Sequence, residues 1–157
     1  MARASDELVF APLGGVGEIG MNLALYGYGP SAYRQWIMVD CGVTFPGPDL
    51  PGVDLVLPDI RFLAKERKNL KAIFITHAHE DHYGALADLW PGLNVPVYAS
   101  GFTAGLLEAK RNYEKSTMVE IPITPFTAVT VVTVGPFSVE GVAGNHQAAI
   151  PDGQLCS

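Results

Sequence analysis

The sequence contains little cysteine and no long apolar run. Its two cysteines, Cys41 and Cys156, lie far apart and outside any CxxC spacing, so neither a disulfide framework nor a thiolate zinc site is indicated. The runs LKAIFIT and VTVVTV are far shorter than the roughly 20 residues of a membrane-spanning helix, and the amino terminus has no signal-peptide pattern. These absences predict free thiols and a cytoplasmic protein without a membrane partner.

Positive charge is also scarce. The chain has 10 Lys and Arg residues against 16 Asp and Glu residues, a net charge of −6, so the chain as a whole does not attract a polyanion. One local cluster is basic, and we interpret it first as the solvated face of a helix: Arg61, Lys65, Arg67, Lys68 and Lys71. For a nucleic-acid substrate, the chain therefore supplies little of the phosphate-neutralising charge that usually dominates affinity.

The composition predicts one folded domain or part of one, since 48% of the residues are hydrophobic and 17% are charged. β-branched and aromatic runs bounded by Gly and Pro predict strands at residues 8–13, 21–26, 35–39, 72–75, 95–99, 118–121, 128–134 and 137–142. Apolar residues at helical spacing predict helices at residues 59–69 with Asp59 as N-cap, 81–90 ending at Pro91 and Gly92, and 102–112. This mixture is typical of an α/β or α+β fold in which helices cover a sheet.

A histidine cluster is the most specific feature of the sequence. Three of the four histidines fall in the string ITHAHEDHYGAL, as His77, His79 and His82 with Asp81 between them, which is the pattern HxHxDH. If a strand ends at Thr76 and the chain continues extended, His77 and His79 point to the same side because side chains alternate. One metal ion can therefore bind both imidazoles.

The residues after this pair predict a second ion. A turn into a helix that begins near Asp81 places this carboxylate and His82 beside the first pair, where a second metal lies about 3.5–4 Å from the first. Imidazole and carboxylate ligands suit zinc, with manganese as the alternative if oxygen ligands are numerous. Two such ions activate water near neutral pH, so Asp81 and His82 are candidate catalytic residues of a metal-dependent hydrolase.

Two further residues are candidates for the same site. His146 lies in VAGNHQAAIPD after a predicted strand and is a candidate third ligand of the first metal, because catalytic zinc usually takes three protein ligands. A single histidine in a loop is otherwise more often an exposed or core residue. Asp40 ends the strand WIMVD, where it either orients a ligand histidine or caps the strand end before Gly42.

A glycine pattern near the amino terminus is formally that of a dinucleotide-binding loop. The string GGVGEIG spells GxGxxG after a strand, and Asp40 follows about twenty residues later. That fold requires a helix that begins within the glycines, whereas MNLALYGYGPS predicts a strand ending in a Gly/Pro turn. We therefore expect no nicotinamide or flavin cofactor, and a tight loop that approaches the metal site or the sheet, lined by Glu18 and Asn22.

Four segments carry a family resemblance: LGGVGEIGMN, VDCGVTFPGPDLPGVDLVLPDI, THAHEDHYGAL and LNVPVYAS. Together, in order from about Leu8 to His146, they resemble ribonuclease J, of the β-CASP branch of metallo-β-lactamase-fold nucleases. HxHxDH alone indicates the superfamily, whereas the glycine loop and PGVDLVLPDI are more specific to ribonuclease J. The resemblance implies a metallo-β-lactamase-like αββα sandwich, of which residues 1–157 form the amino-terminal half as a partial domain, without the β-CASP and carboxy-terminal domains.

The resemblance also implies an activity and a ligand set. The activity is hydrolysis of RNA phosphodiesters, endonucleolytic and 5′ to 3′ exonucleolytic, in RNA maturation and decay, by homo-oligomers of the full-length protein. The implied site consists of a first zinc ion bound by His77, His79 and His146, a second bound by Asp81 and His82, and Asp40, from the family's first motif, supporting the site.

The closing stretch departs from the family pattern. After His146 the family continues with a Ser-Ile-Pro-acid run and later with a bridging aspartate, whereas this sequence has QAAIPDGQLCS. Asp152 corresponds to the acid of that run and not to the bridging ligand. The second metal then has two evident protein ligands, one short of a typical catalytic site, and we expect this chain in isolation to bind it weakly or not at all.

Three functions are compatible with these features. The first is a ribonuclease-J-like metallohydrolase, present here as its amino-terminal fragment. The second is another metallo-β-lactamase-fold hydrolase of a small ester, thioester, lactam or lactone, which would have a complete ligand set without an RNA-gripping insertion. The third is an inactive fragment, whose unpaired sheet edges and exposed apolar faces favour aggregation.

Overall fold

The centre of the fold is a six-stranded sheet in the order β1-β2-β3-β4-β5-β6. The computed structural model describes residues 5–113, 120–144 and 154–155. The strands of the sheet are β1 (Glu7–Gly14), β2 (Leu23–Gly29), β3 (Gln35–Val39), β4 (Leu70–Ile75), β5 (Val97–Ala99) and β6 (Ile123–Pro125). The first three strands pair antiparallel, and β3 to β6 run parallel. The carboxyl ends of the parallel strands therefore meet at one edge of the sheet.

Helices cover one face of this sheet. They are α1 (Arg61–Glu66), α2 (Glu80–Tyr83), α3 (Leu86–Leu93) and α4 (Gly101–Tyr113). The first three helices contribute buried side chains to one cluster with the sheet, and α4 joins it through a half-buried Leu107. Typical members are Leu63, Tyr83, Trp90, Leu25, Met38, Ile73 and Val97. Each fully buried Leu or Ile in such a cluster contributes about 1.5–3 kcal/mol to folding.

A β-hairpin covers part of the opposite face. Its strands are β7 (Val131–Val134) and β8 (Phe137–Glu140), and its half-buried side chains pack on a second buried cluster of Ile37, Ala72, Phe74 and Phe126. Trp36 and Met38, on either side of Ile37, belong to the first cluster, so β3 is apolar on both faces. A short pair formed by β9 (Ala143–Gly144) and β10 (Gln154–Leu155) follows. The sheet is thus the central layer between helices and further β structure.

Most predicted strands are confirmed with shifted ends, and one is wrong. Residues 120 and 121 of the predicted strand 118–121 lie outside any strand, and residues 118 and 119 lie outside the described part. The edge strand is instead β6, in which Ile123 pairs with Val97. Pro122 has no N–H to contribute to a ladder, so a strand that pairs with β5 begins after it.

The predicted helices require three corrections. The helix predicted at 81–90 is two helices, α2 and α3, and Pro91 lies inside α3. This proline removes one hydrogen bond, but the helix continues until Asn94 adopts a left-handed conformation and donates its N–H to the carbonyl of Trp90 at 2.7 Å.

Helix α1 is shorter than residues 59–69 and has Ile60, not Asp59, as its N-cap. Asp59 instead accepts the backbone N–H of Arg61 at 3.0 Å.

The expected α/β architecture with helices covering a sheet is confirmed. In the part of the chain that the structure describes, no helix is both long enough and apolar enough to span a bilayer.

Candidate metal centre

The ends of two neighbouring parallel strands create the site. Val39 of β3 pairs with Phe74 of β4. Asp40 and Thr76, the first residues after β3 and β4, lie side by side. Asp40 has a positive φ of 62° and donates its N–H to the carbonyl of Phe74 at 2.8 Å. Its carboxylate is buried and accepts the backbone N–H of Thr76 at 2.8 Å. Asp40 therefore caps the end of the neighbouring strand β4 and not the end of its own strand before Gly42.

The chain that leaves β4 presents the first pair of donor atoms. His77 is 3% exposed, and its Nε2 atom lies 3.0 Å from Nδ1 of His79. The two rings meet edge to face at 4.5 Å. The structure thus brings His77 and His79 together on one side of the chain, as their alternation in an extended segment predicted.

The first turn of α2 presents the second pair. Oδ2 of Asp81 lies 3.5 Å from Nε2 of His82, and these side chains are 39% and 19% exposed. The His82 ring also lies 3.9 Å from the His77 ring, centroid to centroid. The two pairs are therefore neighbours, and the second pair is more accessible to solvent than His77.

Asp40 contacts His82 directly and reaches His77 through the hydroxyl of Thr76. Its Oδ2 atom lies 2.7 Å from Nδ1 of His82, and a carboxylate only accepts, so Nδ1 carries the proton and Nε2 has the lone pair. The hydroxyl of Thr76 donates to Asp40 at 2.9 Å and lies 2.9 Å from Nδ1 of His77. His77 Nδ1–H then donates to this hydroxyl, and its Nε2 also has a lone pair. The carboxylate that caps β4 thus also holds a histidine, which was the other interpretation of Asp40.

The glycine loop reaches the site through Asn22. The loop is followed by β2 and not by a helix, and Asn22 donates its backbone N–H to the carbonyl of Asp81 at 2.9 Å. Its Nδ2 atom lies 3.0 Å from Oδ2 of Asp81 and 3.2 Å from Nε2 of His82. Glu18 is exposed at the loop surface. The sequence pattern indicated Asn22 only as a loop residue, because its contacts with the metal motif join segments about 60 residues apart.

Gly42 permits the close approach of two backbone segments. A Cβ atom on Gly42 would lie 1.6 Å from the carbonyl oxygen of Asp81 and 2.1 Å from its carbonyl carbon. On either side of it, Cys41 donates its N–H to the carbonyl of His82 at 2.7 Å and Val43 donates to Glu80 at 3.2 Å. The segment after β3 is therefore joined to α2 along its backbone, and the sequence signal for this contact was Gly42, two residues after Asp40.

Cys41 has no thiolate chemistry at this site. It is a free, fully buried cysteine. Burial raises the pKa of its thiol to about 12, and the carboxylates of Asp40 and Asp88 act in the same direction. The thiol is therefore neutral at physiological pH, and the prediction of a free thiol at Cys41 is confirmed.

The predicted basic cluster lies at the opposite end of the sheet. Arg61, Lys65, Arg67 and Lys68 are exposed on and after α1, and Lys71 lies near the amino end of β4. Arg61 forms an ion pair with Asp59, which holds the pKa of that carboxyl at about 2. The length of β4 separates this cluster from the histidines, and its exposure is that of a solvated helix face.

The spacing of the two pairs fits metal ligation. Two ligand atoms bound to one tetrahedral zinc at about 2.0–2.1 Å lie about 3.3–3.4 Å apart, and the two pairs have separations of 3.0 and 3.5 Å. Among the described residues, however, no group of three or more His, Cys, Asp or Glu side chains is arranged to hold a metal ion. His146 and Asp152 lie outside the described residues. Each described pair is therefore one ligand short of the usual three.

The chain is similar to known proteins over most of its length. A family model described as the metallo-β-lactamase superfamily matches residues 34–151, more than half of the chain. Ribonuclease J of Sinorhizobium meliloti is 75% identical over 93% of this chain and 26% of its own length. Ribonuclease J of Mycolicibacterium smegmatis is 45% identical over 68% of this chain and 19% of its own length. The resemblance inferred from the motifs is confirmed, and the chain spans about a quarter or less of these relatives.

Solved structures show the same fold at low sequence identity. A B3 metallo-β-lactamase with an active-site glutamic acid matches with a TM-score of 0.54 and 19% identity, over 88% of this chain and 51% of that chain. The metallo-β-lactamase SMB-1, in a complex with mercaptoacetic acid, matches with a TM-score of 0.51 and 23% identity, over 82% of this chain and 48% of that chain. The helix-covered sheet with its additional β layer is thus the arrangement found in these proteins.

Proposed function

The chain belongs to the metallo-β-lactamase superfamily, and on that premise we propose that it carries the metal-binding part of a ribonuclease J, a hydrolase of RNA phosphodiesters. The observation that carries the proposal is the pair of donor separations at the end of β4, 3.0 Å for the first pair and 3.5 Å for the second. The high identity to a ribonuclease J favours RNA over a small ester, thioester or lactam. Residues 1–157 would form part of the hydrolase domain of a longer, oligomeric protein.

The proposed ligand sets follow the two pairs. His77 Nε2 and His79 Nδ1 would hold one zinc ion with His146 as a third ligand, and Asp81 Oδ2 and His82 Nε2 would hold the other. Neutral imidazole nitrogens and a carboxylate oxygen are the donors that zinc accepts, with manganese as the alternative. When bound, two such ions would supply Lewis-acid charge to a phosphoryl oxygen and activate water near neutral pH.

The residues around the donors would keep them in the ligating form. Asp40 accepts the Nδ1 proton of His82 at 2.7 Å, which leaves the lone pair of the neutral ring on Nε2. Thr76 transmits the same orientation to His77. The positions of the donors are therefore fixed before a metal arrives, and His79 Nδ1, which faces the lone pair of His77 Nε2 at 3.0 Å, would release a proton when it binds the ion.

RNA would need positive charge, and the described residues that we assign to the site include no lysine or arginine. The donors and Asp40 carry two carboxylates, and the basic cluster lies at the other end of the sheet. The phosphate-neutralising charge at the centre would therefore come from the bound ions and from parts of the protein beyond this chain. The exposed cluster on α1 would not contact the phosphate that is cleaved.

Metal stoichiometry beside RNA cleavage tests the proposal. Elemental analysis of the purified complete protein should give two zinc equivalents, and His77→Ala and His146→Ala should each lose metal and abolish RNA cleavage. Lys68→Ala, at the opposite end of the sheet, is the matched control and should retain both. Cleavage of a small ester or thioester with RNA left intact would contradict the proposed substrate, and a metal-free protein that cleaves RNA would contradict the proposed centre.

A further inference from the structure

The side-chain amide of Asn22 faces the two donor atoms of the second pair. Its Nδ2 atom lies 3.1 Å from the carbonyl oxygen of Asp81, 3.0 Å from Oδ2 of Asp81 and 3.2 Å from Nε2 of His82. Both Asp81 atoms are acceptors, so the NH₂ group and not the amide oxygen must face them. The two N–H bonds are therefore shared among three acceptors of the metal motif.

The same contact fixes which nitrogen of His82 has the lone pair. Nε2 faces an N–H donor and must accept, so the ring proton lies on Nδ1, where Oδ2 of Asp40 accepts it at 2.7 Å. Asn22 and Asp40 thus hold the ring from opposite sides. Nε2 has a single lone pair, so a metal ion bound there would displace the N–H of Asn22 from His82, whereas the carbonyl and Oδ2 of Asp81 have further lone pairs and would keep their contacts with Asn22.

The backbone of Asn22 is itself held on both sides. Its N–H donates to the carbonyl of Asp81 at 2.9 Å, and its carbonyl accepts the N–H of Gly42 at 2.9 Å. Gly20 and Met21, just before it, have positive φ angles of 88° and 52°, so the chain turns sharply into this contact. Asn22 therefore joins the glycine loop, the segment after β3 and the start of α2.

We propose that Asn22 is a positioning residue that sets the affinity of the second metal ion by holding Asp81, through its backbone carbonyl and Oδ2, in its ligating arrangement. The inference rests on the proposed function, since it assumes that this pair binds an ion. The contacts of the first pair include the Thr76 hydroxyl and the two imidazoles themselves, whereas the side-chain contacts of Asn22 are with the second pair. The effect of Asn22 is accordingly selective for the second ion.

Zinc titration of the complete, metal-free protein by calorimetry tests the proposal. Asn22→Ala should weaken the second equivalent about 10–100-fold, the usual effect of removing a hydrogen-bond partner of a ligand, and change the first by no more than about twofold. Asn22→Gln keeps an amide donor on a longer side chain and should recover part of the affinity. Asn69→Ala is the matched control, because Asn69 Nδ2 also donates to a carboxylate, that of Glu66 at 2.8 Å, at the other end of the sheet.

The outcomes separate this inference from the proposed function. Wild-type protein that binds no zinc contradicts the proposed function and removes the inference with it. Normal wild-type binding with an unchanged second equivalent in Asn22→Ala overturns the inference alone. Equal weakening of both equivalents in step with a lower melting temperature, without recovery in Asn22→Gln, assigns Asn22 a structural role and also overturns it, as does an Asn22→Ala protein that does not fold.

Discussion

The two donor pairs of the candidate centre are held in different ways. His77 and His79 follow directly from β4, His77 is almost completely buried, and the two donors are two residues apart in sequence. Asp81 and His82 stand on the first turn of α2, are more exposed, and are held by Asn22, which is 59 and 60 residues away in sequence. One pair is thus supported by its own strand, and the other by distant segments.

This difference indicates which substitutions should affect the first donor pair and which the second. Removing a remote support of the second pair leaves the extended segment after Thr76 in place. Asp40 is the exception, because it contacts His82 directly and reaches His77 through Thr76. Substitutions at Gly42, Asp40, Thr76 and Cys41 should therefore affect the two pairs in distinguishable patterns.

Gly42→Ala should have the largest effect and should break the second pair first. The new Cβ would lie 1.6 Å from the carbonyl oxygen of Asp81, and neither backbone can retreat without losing the hydrogen bonds between the two segments. We expect a loss of about 3 kcal/mol in the free energy of unfolding, measured by urea denaturation of the metal-free protein.

A second glycine provides the control for this substitution. A Cβ on Gly92 in α3 meets nothing within 4 Å, so Gly92→Ala should be neutral or stabilise by up to about 1 kcal/mol. Equal stability of the two variants would show that the segments at Gly42 and Asp81 are not in close contact.

Asp40→Asn should weaken both pairs together. The amide NH₂ replaces an oxygen that accepts from Thr76 or His82, so one donor faces another donor and the histidine protons are no longer held. We expect each zinc affinity to fall about 10–100-fold, with a loss of about 1–3 kcal/mol in stability. Zinc titration and urea denaturation measure the two effects, and weakening of only one ion would contradict a shared role for Asp40.

Thr76→Val should give the reverse of the selectivity expected for Asn22→Ala. The substitution removes the hydroxyl that lies 2.9 Å from both Asp40 and His77 and keeps the shape of the side chain. We expect the affinity for the first ion to fall about tenfold and that for the second to change little, measured by the same titration. Thr103→Val in α4 is the control. It removes a buried hydroxyl that contacts Ser100 at 2.9 Å and should leave both zinc affinities unchanged.

Cys41 offers the mildest probe of the second pair. In a Cys156→Ser background Cys41 is the one thiol, and burial together with a pKa of about 12 should make native labelling slow. Because the backbone N–H of Cys41 donates to the carbonyl of His82 at 2.7 Å, zinc bound by His82 should slow labelling further. Immediate labelling of the zinc-loaded protein by a thiol reagent would contradict the described packing.

The shifted thiol pKa also predicts a pH dependence. The unfolded thiol has a pKa near 9.0 and the folded thiol a pKa of about 12. Between these pH values the thiol is therefore a charged thiolate in the unfolded state and neutral in the folded state. The contribution of Cys41 to stability is present below pH 9 and is lost as the pH rises towards 12. Cys41→Ala should reduce this alkaline loss when melting temperatures are compared across that range.

Local patterns predicted the first pair well and the second only in part. The alternation of His77 and His79 after a β-branched strand is a short-range property, and the structure shows it. The donors Asp81 and His82 were also named from the motif, but their supports depend on which strands become neighbours. Asn22 and Gly42 acquire their contacts only when β2, β3 and β4 pair, so sequence spacing did not reveal them.

The same limit explains the errors in the fold. The predicted helix end at Pro91 and the predicted strand at residues 118–121 rested on local propensities, which Asn94 and the pairing of β6 with β5 overrode. The motif similarity to ribonuclease J was sufficient for the family, because it used several segments at once. The predicted ligand His146 lies outside the described residues and stays a prediction.

Anomalous diffraction from crystals of the zinc-loaded complete protein tests most directly whether the two pairs serve two ions. We expect two zinc peaks about 3.5–4 Å apart, one beside His77 Nε2 and His79 Nδ1 and the other beside Asp81 Oδ2 and His82 Nε2. A single peak shared by all four donors, or peaks away from them, would contradict the division of this centre into two half-sites.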